Sequence, residues 1–440
     1  MTTWFARHAL LPSGPARDVT FEVTDGSFTA ITADSRPGPG AAALPGVVLP
    51  GLANCHSHAF HRALRGRTHT GGGTFWTWRG GMYAVAAALD PDSYLDLARA
   101  TYAEMALAGV TAVGEFHYLH HASGGVRYAD PNAMGAALIQ AATEAGIRLT
   151  LLDTCYLAGG LDADGHTGLG PEQARFGDGD AEGWAARVGR LSGSDAVVIG
   201  AAVHSVRAVP RVALPVVAAA ADGRPLHVHL SEQPAENETA LAHYGRTPTE
   251  LLDEAGALGP LTSAVHATHL TGTDIATLGR TGTTSCFCPT TERDLADGIG
   301  PARTLLDAGS RLSLGSDQHA VIDLIEETRA LEMHERLATR HRGRFTPTEL
   351  LTAATRHDSL GWADAGSLSV GGRADLVAVR LDTPRTAGAD PAQILLAATA
   401  ADVDTVVVDG RTVVSGGQHR LGDVGDLLRK AIEPLWVAGP

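Results

Sequence analysis

Closely spaced histidines occur along the chain, each group at the end of an apolar run. His56 and His58 form the first pair, and His227 and His229 form the second. Because alternate side chains of a β-strand point to the same side, both imidazoles of a pair can face one metal ion. A single His-x-His pair is common in proteins. The inference of a metal site therefore depends on finding several such groups together.

Further polar groups lie at the ends of other apolar runs. Glu232 follows His229 by three residues, His266 ends a run in the sixth candidate strand, and Asp317 follows the eighth. Imidazoles and carboxylates are the common ligands of catalytic divalent ions, and they are also the usual general acids and bases. A buried structural histidine explains any one group, but four groups at strand ends indicate a metal-dependent hydrolytic site.

The segments that must position these groups alternate between strand-like and helix-like patterns. Helical stretches at 91–108, 132–145, 210–221 and 247–255 separate some of the apolar β-rich runs. The eight runs are 47–52, 110–116, 149–154, 196–203, 226–230, 263–265, 283–287 and 311–314. Eight strands with crossovers predict an α/β fold, a (β/α)8 TIM-type barrel, whose active site lies where the strands end. An open doubly wound sheet has the same periodicity and stays open as the competing fold.

Short strand-like runs also lie near both ends of the chain, at 18–24, 27–32, 374–380, 405–408 and 412–415. Asp-Gly turns at 25–26 and 409–410 join neighbouring runs. We therefore expect a small β-sandwich domain built from both termini. Its two parts are predicted at 1–47 and 366–440, on either side of a barrel at 48–365.

Two connections are too long to be simple loops. The segment 60–82 carries a glycine run at 71–73 followed by Trp76 and Trp78, and the segment 158–183 is rich in Gly and Asp. Long insertions after barrel strands often form lids or binding loops. A surface excursion is the alternative, and for the second segment the sequence does not decide between the two.

The bulk composition excludes several classes of protein. Of 440 residues, 44% are hydrophobic and 19% are charged, which is typical of a globular chain. No apolar run reaches the roughly 18 residues of a membrane span, and the N-terminus lacks the pattern of a signal peptide. The net charge of −15 argues against nucleic acid. A small anionic substrate remains compatible, because a few buried arginines can reverse the local field.

The four cysteines are too few for a disulfide framework and indicate a cytoplasmic location. The sequence leaves the oligomeric state open, with a homodimer among the options.

Taken together, the polar groups resemble the signature of the amidohydrolase superfamily in order and in strand assignment. This resemblance implies Glu232 as a proton shuttle and His266 and Asp317 as the residues that hold or deprotonate the attacking water. His227 and His269 fall outside the signature and are interpreted as supporting or structural residues. The metal ligands that the resemblance implies are His56, His58, His229 and Asp317.

The number of metal ions expected in the site follows from the absence of a lysine on the fourth strand. Two-metal members of the superfamily commonly bridge their ions with a carbamylated lysine on the fourth strand. Here 196–204 contains no lysine, and the single lysine of the chain, Lys430, lies far outside the barrel. One divalent ion is therefore expected, and imidazole-rich ligation favours Zn²⁺, with Fe²⁺ or Mn²⁺ also compatible.

A narrower resemblance, to the formimidoylglutamate deiminase family, rests on the motifs at 75–79, 114–121, 204–207 and 229–233. In particular, the Phe-His-Tyr-Leu-His-His run at 116–121 is far more specific than His-x-His. One position differs from the family's motif: the family has glutamine where this chain has His61. The resemblance implies five substrate contacts: His61, Arg79, Tyr118, His204 and Arg207.

The implied reaction is hydrolytic deimination of N-formimidoyl-L-glutamate to N-formyl-L-glutamate and ammonia. Arg79 and Arg207 agree with that substrate, because guanidinium groups pair with carboxylates in a forked geometry. One alternative is another deaminase of the superfamily, acting on a purine, pterin or related amine. A second is a barrel that has lost catalysis, which intact candidates for every ligand and for Glu232 argue against.

Overall fold

The computed structural model describes residues 1–69 and 75–437. These residues form two eight-stranded sheets, a small two-stranded sheet and surrounding helices. None of the described helices has the length and apolar character that crossing a bilayer requires.

The strands number eighteen among the described residues. In chain order they are β1 (Thr2–Leu11), β2 (Gly14–Thr24), β3 (Ser27–Thr32), β4 (Ala42–Pro50), β5 (Leu52–Ser57), β6 (Val110–His117), β7 (Arg148–Cys155), β8 (Gly160–Asp162), β9 (Gly165–Thr167), β10 (Val197–Val203), β11 (Leu226–Leu230), β12 (Thr262–His266), β13 (Thr284–Phe287), β14 (Arg311–Leu314), β15 (Leu376–Val379), β16 (Val403–Val408), β17 (Arg411–Ser415) and β18 (Gln418–His419).

Helices cover most of the connections between the strands of the middle of the chain. The α-helices are α1 (Phe75–Ala88), α2 (Pro91–Leu107), α3 (Ala133–Ala145), α4 (Ala181–Val188), α5 (Leu214–Ala221), α6 (Pro234–Tyr244), α7 (Pro248–Glu254), α8 (Gly272–Thr281), α9 (Pro289–Asp294), α10 (Ala302–Ala308), α11 (Leu324–Thr339), α12 (Pro347–Ala354) and α13 (Val424–Val437). Short 3-10 helices lie at Ala59–Leu64, Ser123–Gly125, Ala174–Phe176, His357–Leu360, Pro391–Leu396 and Ala400–Asp402.

The sheet built from both ends of the chain has the strand order β18-β17-β16-β15-β4-β1-β2-β3. Strand β4 joins its two halves, because it pairs in parallel with β1 and antiparallel with β15. Buried apolar side chains, including Phe21 and Phe28, form its own hydrophobic cluster. The expected separate sheet from both termini is therefore confirmed, while its sandwich form stays a prediction.

The second sheet is parallel throughout and runs in chain order, β5-β6-β7-β10-β11-β12-β13-β14. A doubly wound sheet reverses its strand order at a switch point, so the competing fold is excluded. All residues of β6 and β7 are buried, as expected for strands covered on both faces.

The two edge strands of this sheet, β5 and β14, meet beside His56 and His58. Ser57 and Asp317 form a parallel bridge, and the Asp317 amide donates to the His56 carbonyl at 3.0 Å. A Cβ on Gly315 would lie only 2.7 Å from the Cβ of His56, so this close approach requires glycine. The eight strands thus form a barrel-like sheet, with the first and last strands in contact.

One predicted strand was wrong in position. The run at 47–52 was expected to open the barrel, but residues up to Pro50 belong to β4 of the terminal sheet, and the barrel begins with β5. Gly51 separates the two strands, and a Cβ there would collide with the Thr111 side chain at 2.3 Å. The apolar pattern is continuous across this break, which is why periodicity does not reveal it.

The C-terminal segment ends in a helix that sequence patterning did not predict. Helix α13 packs against α2 of the barrel, and the Trp436 indole donates to the Ala63 carbonyl oxygen at 3.1 Å. The last described helix therefore contacts the barrel. The division at residues 47 and 365 stays a prediction.

Both long connections carry secondary structure. The first contains the 3-10 helix Ala59–Leu64 and the start of α1, while its glycine run and the side chain of Trp76 lie outside the described residues. The second contains the β8–β9 hairpin and the 3-10 helix Ala174–Phe176. Residues Ala158 to Leu161 of this second connection line the cavity described below, which favours the binding-loop interpretation.

Candidate active site

Imidazole and carboxylate groups converge where the barrel strands end. The Nε2 atoms of His56 and His229 are 3.1 Å apart, and the Asp317 carboxylate lies 3.5 Å from His56 and 3.4 Å from His58. These four side chains are buried. The structure therefore brings together all four metal ligands that the sequence analysis proposed.

Backbone carbonyls hold two of these imidazoles in one tautomer. His58 donates from Nδ1 to the carbonyl of Phe116, and His229 donates from Nδ1 to the carbonyl of His204, both at 2.9 Å. Their Nε2 lone pairs are thereby left to face the cluster, the usual arrangement of a metal-binding histidine. Burial lowers the pKa of His56 to about 3 and that of His229 well below its ordinary value, so both rings are neutral.

The donor set fits a divalent ion. Three neutral imidazoles and one carboxylate are ligand types that catalytic Zn²⁺ sites use. Although burial raises the pKa of Asp317, the adjacent His56 and His266 hold it well below its ordinary range. The carboxylate is therefore ionised and available as the anionic ligand.

The two proposed proton-transfer residues lie beside this cluster. His266 has its Nε2 atom 3.6 Å from Asp317 and 3.9 Å from the carboxylate of Glu232. Burial lowers the pKa of His266, but Glu232, Glu292 and Asp317 outweigh it and raise the pKa well above its ordinary value. Glu232 and His266 therefore flank the place where a reacting group would meet the metal ligands.

Left-handed backbone conformations occur at or just after the ends of the strands that carry these side chains. Ser231, His266 and Asp317 have φ values of 50°, 68° and 43°, following or ending β11, β12 and β14. Residues other than glycine adopt such values at a cost, and the surrounding structure must compensate for it. The strand ends thus turn sharply into the mouth of the barrel.

A cavity of about 470 Å³ opens above the cluster, a size typical of a small-molecule site. His58, His229, Glu232, His266 and Asp317 contribute to its base. The five residues proposed to contact substrate also line it: His61, Arg79, Tyr118, His204 and Arg207.

His61 lies close to the metal-ligand cluster. Its Nε2 atom is 3.0 Å from the Tyr118 hydroxyl, and its ring centroid is 4.6 Å from that of His58. Burial lowers the pKa of His61 well below its ordinary value, so the ring is neutral. A neutral imidazole offers one donor and one acceptor. A glutamine side chain likewise offers both a donor and an acceptor.

The two proposed carboxylate-binding arginines approach the cavity from different segments. Arg79 on α1 donates from Nε and Nη2 to the Tyr83 hydroxyl at 3.0 and 2.9 Å. Arg207 follows β10, and its Nε atom is 3.8 Å from the carboxylate of Glu236. Arg79 and Arg207 thus line the same cavity as Glu232 and Asp317.

The geometry agrees with the comparison to known proteins. Residues 47–413 match the amidohydrolase family. The chain belongs to that family. Residues 1–42 of this amidohydrolase match a second family, described as the N-terminal domain of formimidoylglutamate deiminase HutF.

Relatives of this amidohydrolase cover almost its whole length. It is 39% identical to formimidoylglutamate deiminase of Pseudomonas aeruginosa, over 95% of this chain and 96% of that protein. It is also 34% identical to 8-oxoguanine deaminase of the same species, over 89% and 88% of the two chains. The crystal structure of an amidohydrolase from Brucella melitensis superimposes with a TM-score of 0.91 at 32% identity, covering 99% and 100%.

Sequence reasoning missed a carboxylate beneath the amidohydrolase site. Glu292 lies 3.4 Å from Nδ1 of His266 and accepts a hydrogen bond from the Cys288 amide at 2.8 Å. Its place in α9, the helix that follows the seventh barrel strand, was the available signal. Glu115 accepts hydrogen bonds from the Ser57 hydroxyl at 2.6 Å and the Ala59 amide at 2.7 Å, and so orients the segment that carries His58.

The residues of the Phe-His-Tyr-Leu-His-His run at 116–121, which begins at the end of β6, have two different roles. Tyr118 lines the cavity, whereas His117 and His120 lie close to Asp153 in a second buried group with metal-ligand spacing. The Asp153 carboxylate is already paired there, with both oxygens accepting from Arg187 at 2.8 Å. We therefore interpret this second group as a structural network.

The two histidines outside the superfamily signature have structural contacts. His227 is fully buried and lies 3.2 Å from the carbonyl of Ser359. His269 donates from Nε2 to the carbonyl of Asp297 at 2.8 Å.

Proposed function

We propose that this amidohydrolase hydrolyses the formimidoyl group of N-formimidoyl-L-glutamate, releasing ammonia and N-formyl-L-glutamate. The observation that carries the proposal is the presence of Arg79 and Arg207 in the same cavity as the metal-ligand cluster and Glu232. The substrate has two carboxylates: one is on the carbon that bears the formimidoyl nitrogen, and the other is at the end of the side chain. Similarity to formimidoylglutamate deiminase over 95% of the chain supports the same assignment.

In the proposed mechanism, His56, His58, His229 and Asp317 would hold one divalent ion, and we propose Zn²⁺ as the native metal. Such an ion would lower the pKa of water toward neutrality and so supply the nucleophile at physiological pH. No lysine lies on β10 to bridge a second ion, and we therefore propose a single one. The eight parallel strands, which we take as a closed (β/α)8 barrel, fix these ligands from three different strand ends.

The chain's own residues would carry the proton transfers. Glu232 takes a proton during attack on the formimidoyl carbon and delivers one to the nitrogen that leaves as ammonia. His266, held by Glu292 on its far side, would hold the oxygen of the attacking water beside the formimidoyl carbon. Positioned groups of this kind contribute about 10²–10⁴-fold each to the rate.

The two carboxylates of the substrate would be held by charge. Arg79 and Arg207 each offer a planar fork of donors that matches a carboxylate. Tyr118, His204 and His61 line the same cavity. We propose that they contact the substrate and align its formimidoyl carbon.

A second candidate function follows from the similarity to 8-oxoguanine deaminase. A purine is a neutral heterocycle and has less need of two guanidinium groups. Ammonia release from formimidoylglutamate, 8-oxoguanine and adenine, measured side by side with the Zn²⁺-loaded enzyme, tests the two directly. We expect turnover of formimidoylglutamate alone, and preferential turnover of a purine would refute the proposal.

All four cysteines are buried free thiols, which supports the cytoplasmic location expected from the sequence.

A further inference from the structure

Arg175 is a buried arginine that donates hydrogen bonds to backbone carbonyls of two segments near the active site. It donates from Nε to the His121 carbonyl at 3.0 Å, from Nη1 to the Ala86 carbonyl, and from Nη2 to the Leu89 carbonyl at 3.0 Å. Only 2% of the residue is exposed. Among the described residues no carboxylate lies within ion-pair distance of it, so the guanidinium is stabilised by hydrogen bonds to backbone carbonyl oxygens.

The carbonyls of Ala86 and Leu89 lie at the C-terminal end of α1. The last carbonyl groups of a helix have no intrahelical partner, and a cation is favourable there because the helix dipole is negative at that end. The carbonyl of Arg175 itself accepts from the amides of His120 and His121 at 3.2 and 3.0 Å. Arg175 thus joins α1 to the connections that follow β6 and β7.

The next residue, Phe176, extends this junction to the cavity. Its ring stacks on Tyr83 of α1 at a centroid distance of 6.3 Å and contacts Tyr118 edge-on at 5.1 Å. The Tyr83 hydroxyl in turn accepts both hydrogen bonds from Arg79. A continuous series of contacts therefore runs from Arg175 and Phe176 through Tyr83 to Arg79.

We propose that Arg175 and Phe176 form an anchor that holds α1 against the cavity and positions Arg79 for a substrate carboxylate. Arg175 does not touch the substrate and acts through Arg79, so it is a positioning residue. This inference rests on the proposed function, because that function makes Arg79 a substrate contact. A lysine at 175 keeps the charge but has one nitrogen, which cannot reach three carbonyl oxygens in two segments.

The test compares Arg175→Lys with Arg148→Lys as a matched control. Arg148 is 1% exposed and pairs with Asp375 and Asp409 at the start of β7, at the other end of the barrel. Arg175→Lys should raise KM for formimidoylglutamate on the order of 2- to 10-fold, the cost of ordering freed side chains, and leave kcat near wild type. Arg148→Lys should leave KM unchanged, and an equal rise in both variants would overturn the proposal.

Two further measurements distinguish positioning from general destabilisation. In an Arg79→Met background, Arg175→Lys should raise KM no further, and additive effects would overturn the proposal. Backbone amides of α1 should exchange hydrogen faster in Arg175→Lys, or in Phe176→Leu if the first variant does not fold, and unchanged exchange would refute the anchor. Absence of formimidoylglutamate turnover by the wild type would instead refute the proposed function.

Discussion

Replacing Arg207 with methionine removes one of the two guanidinium groups that face the cavity. Leaving a bound anion without its charged partner typically costs about 2–5 kcal/mol. The Arg207 side chain is 36% exposed, so solvent screens its charge and we take the lower part of that range. About 2–3 kcal/mol corresponds to a loss of roughly 30- to 160-fold in kcat/KM for formimidoylglutamate.

The assay is steady-state ammonia release from two substrates. Formamidine carries the reactive group without either carboxylate, so Arg207→Met should leave its kcat/KM unchanged. Arg211→Met serves as the control, because Arg211 is also exposed but pairs with Glu254 at 2.8 Å and does not line the cavity. Equal losses on both substrates, or wild-type kcat/KM for formimidoylglutamate, would refute the carboxylate contact.

Four other predictions follow from the same structure. Glu232→Gln should retain its metal by elemental analysis yet lose about 10²–10⁴-fold in kcat, and near-wild-type turnover would remove Glu232 from the mechanism. Chelation should abolish activity, and about one Zn²⁺ per chain should restore it; a requirement for two ions would contradict the single-ion site. His61→Gln should keep deiminase activity, because an amide can replace the 3.0 Å contact with Tyr118; inactivity would show that the imidazole itself is needed. Arg148→Met should lower the unfolding free energy by about 3–5 kcal/mol, because Asp375 loses its buried partner, and denaturant titration showing no loss would contradict this.

The sequence was most informative where function and strand geometry coincide. Polar residues at the ends of apolar runs predicted a common site, because parallel strands end on one face of a barrel. Examples are His229, near the end of β11, and Asp317, which follows β14. The ranges predicted at 226–230 and 311–314 agree with β11 and β14. A local pattern was sufficient here, because burial on both faces leaves a continuous apolar run with an abrupt polar end.

Features that depend on contacts distant in sequence were not predictable. The break at Gly51 is set by Thr111 and by pairing with a strand more than 300 residues away, so the apolar pattern alone placed the first barrel strand too early. Glu292 and Arg175 have no motif of their own. Their importance follows from the partners that the fold brings to them, His266 in one case and the end of α1 in the other.

The most direct test of the proposed deimination is the identity of its products. Hydrolysis at the formimidoyl carbon with loss of the terminal nitrogen should convert N-formimidoyl-L-glutamate to equal amounts of N-formyl-L-glutamate and ammonia. In water enriched in ¹⁸O, mass spectrometry should find one labelled oxygen in the formyl group. Release of glutamate and formamide would show that the other C–N bond is cleaved and would contradict the orientation proposed here. Failure of the Zn²⁺-loaded wild-type enzyme to consume the substrate would contradict the function itself.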